Sequence, residues 1–236
     1  MKAVILAGGK GTRLAPYTNI LPKPLMPIGD MPILEVLLRQ MKIAGVDEAV
    51  LTVGHLAGLM EAFFQNGDQF GLKIRYSYED IPLGTAGPLA LVNDLEDTFV
   101  VSNGDVLTTL DISKLVEFHR AQRSIATIAM HHRQVKINLG VIKCNGGHEI
   151  TGYEEKPSIN YMVSMGIYVF EPAVLRYIPE NQYLDFPDLV KIMLAAGEKV
   201  SGYEFDGYWQ DLGNPGDYQQ AQQDFESMKS QFFVEE

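Results

Sequence analysis

Cysteine is almost absent: Cys144 stands alone in 236 residues. An internal disulfide is therefore excluded. Basic residues are scarce as well. Lys and Arg number 19 against 30 Asp and Glu, giving a net charge of -11 and a pI near 4.9. That balance speaks against wrapping nucleic acid, which needs cations along the phosphate backbone. No apolar run approaches the roughly 18 residues that cross a bilayer as a helix. The opening apolar stretch runs directly into glycine and charge, unlike a leader peptide. No membrane partner is expected, and the expected home is the cytoplasm. What is abundant is material for a core. Apolar residues make up 46% of the chain, enough for a sizeable interior in one or two lobes.

The few cations are unevenly placed. Residues 1–42 hold Lys2, Lys10, Arg13, Lys23, Arg39 and Lys42 against Asp30 and Glu35, a local net of +4 in an acidic chain. Such an opening suits a small anion. Lys2, Arg39 and Lys42 read as ordinary surface charge, which leaves Lys10, Arg13 and Lys23.

Residues 3–7, AVILA, read as a buried strand. Pro32 is placed as the first residue of a helix whose apolar positions Ile33, Leu34, Leu37, Leu38 and Met41 keep helical spacing until Gly45. AVLTVG, KIRYSY and TFVVSN read as further strands. Helices are expected at 56–65, in PLALVNDL after Gly87, and at 112–122. This alternation predicts a parallel sheet covered on both faces. The second half changes character. SIATIAMH, NLGVIKC, HEITGYEE and MGIYVFE are short strand candidates, with a hairpin turn at NGG 145–147. Pro172 opens a short helix, 188–196 forms another, and KVSGYEF is a late strand. Asn214 and Pro215 are a cap and first-turn pair for a last helix. FFVEE reads as a packing tail. With no linker or repeat, one domain is expected over 1–236: a nucleotide-binding lobe to about 110, then an acceptor lobe and closing helix over about 111–226.

The opening GGKGTR puts glycines at 8, 9 and 11, where backbone amides can converge on phosphate oxygens. It is neither a Walker loop nor a GxGxxG fingerprint. Arg13 offers a five-donor fork, and Lys23, held between Pro22 and Pro24, a point charge. Asp105 ends a strand in VVSNGDVL, where ligands of parallel sheets sit; it is a magnesium ligand or an Asx-turn residue. Asp211 in YWQDLGNPGDY is a second ligand or a turn residue. Glu155 and Lys156 suit a sugar hydroxyl and a phosphate, or form a solvated pair. His55, His131 and His132 read as turn or strand-end residues, and Cys144 has no assigned role.

GGKGTRLAPYTNILPKPLMPI resembles the signature of the sugar-1-phosphate nucleotidylyltransferases. PLGTAGPLA, NGDVL, EEKP, GIYVF and YWQDLGNPGDY resemble later blocks of that family in the same order, over about residues 1–226. The resemblance implies a Rossmann-like α/β fold: a mixed, mostly parallel sheet with helices on both faces and an inserted sugar-binding lobe. It implies transfer of a nucleoside monophosphate from an NTP to a sugar 1-phosphate, with Mg2+. It places Leu6, Ala7, Gly8, Gly9, Gly11, Thr12, Arg13, Glu79, Gly84 and Thr85 on the nucleotide. Asn103, Gly140, Glu155, Lys156 and Ser164 fall on the sugar phosphate, and Asp105 and Asp211 on the metal. Arg13 and Lys23 are the catalytic cations. Two departures concern the sugar: Ser164 replaces a common asparagine, and Leu139 a common aromatic. Glu79 stands where several members have a base-reading glutamine. An ionised carboxylate only accepts hydrogen bonds and so suits the N1-H and N2-H2 edge of guanine. The PLGTAGPLA block also resembles mannose-1-phosphate guanylyltransferases, so GTP with mannose 1-phosphate or a related hexose or heptose 1-phosphate is the expected pair. A uridylyl, thymidylyl or cytidylyl enzyme acting on glucose or amino-sugar 1-phosphate is the alternative. A catalytically silent nucleotide-sugar-binding regulator is the alternative from another class. The enzyme is expected as a monomer or homo-oligomer, with the dimer ahead.

Overall fold

The computed structural model describes residues 1–233. In chain order the elements are β1 (Lys2–Leu6), β2 (Pro27–Ile28), β3 (Met31–Pro32), α1 (Ile33–Ile43), β4 (Glu48–Val53) and α2 (Ala57–Phe64). They continue with β5 (Lys73–Tyr78), β6 (Phe99–Asn103), β7 (Val106–Thr108), α3 (Ile112–Gln122), β8 (Ala126–Lys136), β9 (Gly140–Cys144) and β10 (Ile150–Glu155). The last are β11 (Ser158–Phe170), α4 (Phe186–Ala195), β12 (Val200–Phe205), β13 (Trp209–Asp211) and α5 (Pro215–Met228).

Seven strands form one sheet in the order β12-β8-β11-β6-β1-β4-β5. Neighbours are parallel except where β11 runs against β6 and β8. The strands are apolar on both sides because both faces are covered. Along β1 the side chains alternate: Ala3 and Ile5 join the core under α1, α2 and α3, while Val4 joins the core under α4. A third cluster packs α5 and Phe232 against Ile28, Ile33 and Leu212. This is the expected Rossmann-like mixed sheet, and it runs without a break through both halves of the chain.

Local signals explain the helix ends. The Asp111 carboxylate accepts the Lys114 amide at 3.2 Å, and Asn214 caps the Asp217 amide at 3.0 Å ahead of Pro215. Pro32 is the cap residue of α1, one place before the expected position, and Gly45 with φ 77° ends the turn after it.

Three expectations need correction. PLALVNDL forms only a short 3-10 turn at Gly87–Leu91. The amides of Ala86 and Gly87, at its start, donate to the Leu184 carbonyl. Strands β8 and β11 extend past the sheet as a two-stranded ribbon that carries the β9–β10 hairpin, because they pair with each other from Lys136 and Ser158 onward. Finally, Val106–Thr108 and Trp209–Asp211 form an antiparallel pair too short to show periodicity. Of the expected tail, Phe232 is buried, while Val234–Glu236 lie outside the described residues. Among the described residues no helix is long and apolar enough to cross a membrane.

Candidate active site

A cavity of about 670 Å³ opens beyond the carboxyl ends of β1, β4 and β6, lined there by Leu6, Thr52 and Asn103. Parallel strands ending together leave a crevice in which ligands of such sheets bind. The chain leaves β1 through Ala7, whose amide donates to the Thr52 carbonyl at 2.9 Å. A Cβ at Gly8 would lie 2.5 Å from Oε1 of Glu79, so any larger residue there would push that carboxylate aside. Gly9 opens to the cavity with nothing nearby. Gly11 takes φ 61° and is fixed by the Thr18 hydroxyl, which donates to its carbonyl at 2.8 Å. The turn Thr12–Leu14 follows. Buried Leu14 anchors it and leaves exposed Arg13 at the cavity wall.

Lys23 lies on a turn between Pro22 and Pro24 and is 7% exposed. Its ammonium is ion-paired with Asp105 and lies 4.0 Å from Oδ1 of Asp211. Spacing in the sequence does not bring the two aspartates together; the β7–β13 pair does. Asp211 is in register with Val106, and the Leu212 amide donates to the Asp105 carbonyl. Burial pushes the Asp211 carboxyl up, and the like charge of Asp105 adds to this, against the pull of Lys23 and Arg13. Asp105 and Asp211, two hard carboxylates brought to one ammonium, are a donor set that would suit Mg2+. Among the described residues no cluster of three or more metal-binding side chains exists.

Glu79 follows β5 and faces Gly8. Its Oε2 accepts the Leu83 amide at 3.3 Å, and burial raises its carboxyl above the usual value. Gly84 and Thr85 line the same wall. The Thr85 hydroxyl is engaged inside the protein, donating to Asp185 at 3.1 Å and accepting from the Phe186 amide at 2.9 Å.

Asn103 lies on the cavity floor against Gly166, part of a bulge in β11 between Ser164 and Tyr168. Ser164 turns its hydroxyl inward, donating to the Tyr168 hydroxyl at 3.1 Å and accepting the Gly166 amide at 3.3 Å. Gly140, Glu155 and Lys156 gather on the β9–β10 hairpin. Gly140 and Glu155 are register partners, Tyr153 donates to Glu155 at 3.1 Å, and Lys156 lies 3.8 Å from Glu155. None of these three lines the cavity, and neither do Thr12, Ser164 and Asp211.

Among the lining residues, His55, Tyr183 and Asp185 carried no sequence signal for this place. Asp185 stands just before Phe186, where α4 begins two residues ahead of the expected 188, and its contact with Thr85 spans 100 residues. Burial pushes its carboxyl up, yet hydrogen bonds from Tyr183 and Thr85 outweigh that and hold it below the ordinary range.

Known proteins are similar to this chain in sequence and fold. A UTP–glucose-1-phosphate uridylyltransferase of Synechocystis is 37% identical over 94% of this chain and 62% of its own length. A mannose-1-phosphate guanylyltransferase of Mycobacterium tuberculosis is 35% identical over 92% of this chain and 62% of its own. The chain thus spans 62% of the length of these relatives. A Bacillus anthracis protein provisionally named a glucose-1-phosphate thymidylyltransferase, crystallised with sucrose, superposes with a TM-score of 0.77 at 28% identity, covering 94% of both chains. A UDP-glucose pyrophosphorylase with bound UDP-glucose shares the fold, with a TM-score of 0.74 at 18% identity over 96% of this chain and 98% of its own. The Nucleotidyl transferase family matches residues 2–228, and the chain belongs to it.

Proposed function

We propose that this chain transfers a nucleoside monophosphate from an NTP to a sugar 1-phosphate and releases pyrophosphate. The observation that carries the reading is Lys23, buried between Asp105 and Asp211 at a cavity walled by the glycine loop and Arg13. A phosphate oxygen of the sugar phosphate attacks the α-phosphorus. The bond to the departing β-phosphate oxygen breaks, and that oxygen leaves with its electron pair in pyrophosphate. The attacking oxygen is already anionic, so the obstacle is repulsion between two polyanions rather than proton removal. Arg13 and Lys23 counter that repulsion and stabilise charge on the transferring phosphorus. The amides of residues 8–11 hold the leaving pyrophosphate, and the fixed walls align the attack. Asp105 and Asp211 would hold Mg2+, which supplies further charge neutralisation across the phosphates when bound.

For the base, we favour guanine, with mannose 1-phosphate or a related hexose or heptose 1-phosphate as acceptor. Glu79 supports this as a carboxylate set at the cavity wall with Oε1 beside Gly8. The run of mannose-1-phosphate guanylyltransferases among the relatives supports it too. The second reading is UTP with glucose 1-phosphate. Two observations favour it: the Synechocystis relative, and Oε2 of Glu79 already accepting the Leu83 amide. Equimolar GTP, UTP, CTP and dTTP, competing with glucose or mannose 1-phosphate under saturating magnesium, test the choice. GTP-sugar chemistry ahead of the other three sustains the carboxylate argument; a preference for UTP or dTTP overturns it.

A further inference from the structure

Asp185 occupies the cap position of α4, with φ -98° and ψ 154°. An aspartate there ordinarily accepts an amide of its own first turn. Asp185 makes no such bond. Its Oδ1 instead accepts the Thr85 amide at 2.9 Å and the Thr85 hydroxyl at 3.1 Å. The Thr85 hydroxyl in turn accepts the Phe186 amide, the first of α4, at 2.9 Å. The cap has been exchanged across the chain: a threonine 101 residues away serves the helix, and the aspartate of the helix serves the loop of the threonine.

Backbone contacts reinforce the exchange. The Leu184 amide donates to Leu83 at 2.9 Å, and the Ala86 and Gly87 amides donate to Leu184 at 2.9 and 3.1 Å. This approach requires glycine at 84, which has φ 79° and where a Cβ would lie 2.6 Å from the Leu184 carbonyl oxygen. Asp185 also accepts the Tyr183 hydroxyl at 2.7 Å through Oδ2, fixing an aromatic ring on the cavity wall. The far side of the joint is rigid. Phe186 is buried and packs on Tyr168 and Phe170, with ring centroids at 4.3 and 5.8 Å.

We propose that this exchanged cap holds the base-facing wall of the cavity in its binding geometry, which makes Asp185 a positioning residue for the nucleotide. The proposal rests on the reading of the cavity as a nucleotide site. Residues 82–86 carry no strand or α-helix of their own. Without Asp185 the nucleotide must order this wall on binding, and affinity falls by that ordering cost. Arg13 and Lys23 lie on other segments, so the step at phosphorus is affected less than binding.

The test measures GTP and UTP affinity by titration calorimetry, steady-state kinetics, and hydrogen exchange at the amides of residues 85–87, in wild type, Asp185→Ala, Thr85→Val and Asp185→Asn. Asp185→Ala and Thr85→Val should each weaken nucleotide affinity and raise its KM by about tenfold or more. The kcat and the sugar-phosphate KM should change far less, and exchange at the three amides should quicken. Asp185→Asn keeps a carbonyl acceptor for Thr85 and should recover most of the affinity. Unchanged affinity in the first two variants overturns the proposal. So does a loss that falls on kcat or on the sugar phosphate, or unchanged exchange. If Asp185→Ala does not fold, Thr85→Val decides by the same criteria. A wild type that binds neither nucleotide contradicts the reading of the site, whereas exchange at residues 85–87 still reports on the cap itself.

Discussion

Removing the Lys23 ammonium while keeping its bulk, as in Lys23→Met, should destabilise the fold by a calculable amount. Lys23 is 7% exposed, and the side chain of its partner Asp105 is 23% exposed. Deleting one partner of a buried ion pair costs about 3–5 kcal/mol, because the other charge stays behind uncompensated. Partial exposure of Asp105 places this pair at the low end, about 3 kcal/mol. Asp211 adds little, since its side chain is 49% exposed and its oxygen 4.0 Å away. For a chain of this size about 1 kcal/mol shifts Tm by roughly 2–4 °C, so the variant should melt about 6–12 °C lower. The assay is a thermal melt without nucleotide or divalent ions. Adding Asp105→Asn should restore much of the loss, because the orphaned charge is then gone. A single variant that melts with wild type would refute the reasoning. So would a double variant less stable than Lys23→Met.

Three further outcomes are expected. Asp105→Asn and Asp211→Asn should each raise the magnesium concentration needed for half-maximal rate; an unchanged magnesium titration would remove them as ligands. Burial holds the Glu79 carboxyl above its usual value, so the KM for GTP should rise as the pH falls toward that raised range. Glu79→Gln should lack that rise, and identical KM profiles for the two proteins would contradict the role. Burial depresses the charge of His119, despite its 3.1 Å contact with Glu171. Its folded pKa lies below the unfolded value of about 6.5, so the unfolded chain binds the extra proton. Stability from this group is complete above about pH 6.5 and declines below it, by at most about 1.4 kcal/mol per pH unit. Urea denaturation from about pH 7.5 to 5.5 should show a steeper loss in wild type than in His119→Gln; parallel losses would contradict this.

The sequence carried the sheet because its strands are buried on both faces and separated by helices of clear period. Val4 and Ile5 could only be interior, and α1 announced itself through Leu34, Leu37, Leu38 and Met41. The glycine loop was legible because of its glycine clustering, and Gly11 takes a φ of 61° that other residues rarely adopt. What stayed hidden depended on pairings distant in the chain. Asp105 and Asp211 meet through a three-residue strand pair that has no periodicity to detect. Asp185 lies outside the helix expected at 188–196, and only the fold places Thr85 beside it. PLALVNDL has helical composition, yet it closes only a short 3-10 turn at Gly87–Leu91, and the residues just before it are tied to the distant Leu184 carbonyl. The hairpin residues Gly140, Glu155 and Lys156 share one element as their motifs suggested, yet they stand apart from the cavity.

Nucleotidyl transfer at the Arg13–Lys23 cradle is tested by following nucleotide-sugar and pyrophosphate together by mass spectrometry, with the four NTPs, mannose or glucose 1-phosphate, and magnesium. Wild type should form both products in equal amounts. Folded Arg13→Ala and Lys23→Ala should each show kcat/KM at least about 100-fold lower, or roughly 3 kcal/mol of transition-state stabilisation. No nucleotide-sugar from any pair, or wild-type kcat/KM in both variants, would contradict transfer at this cradle.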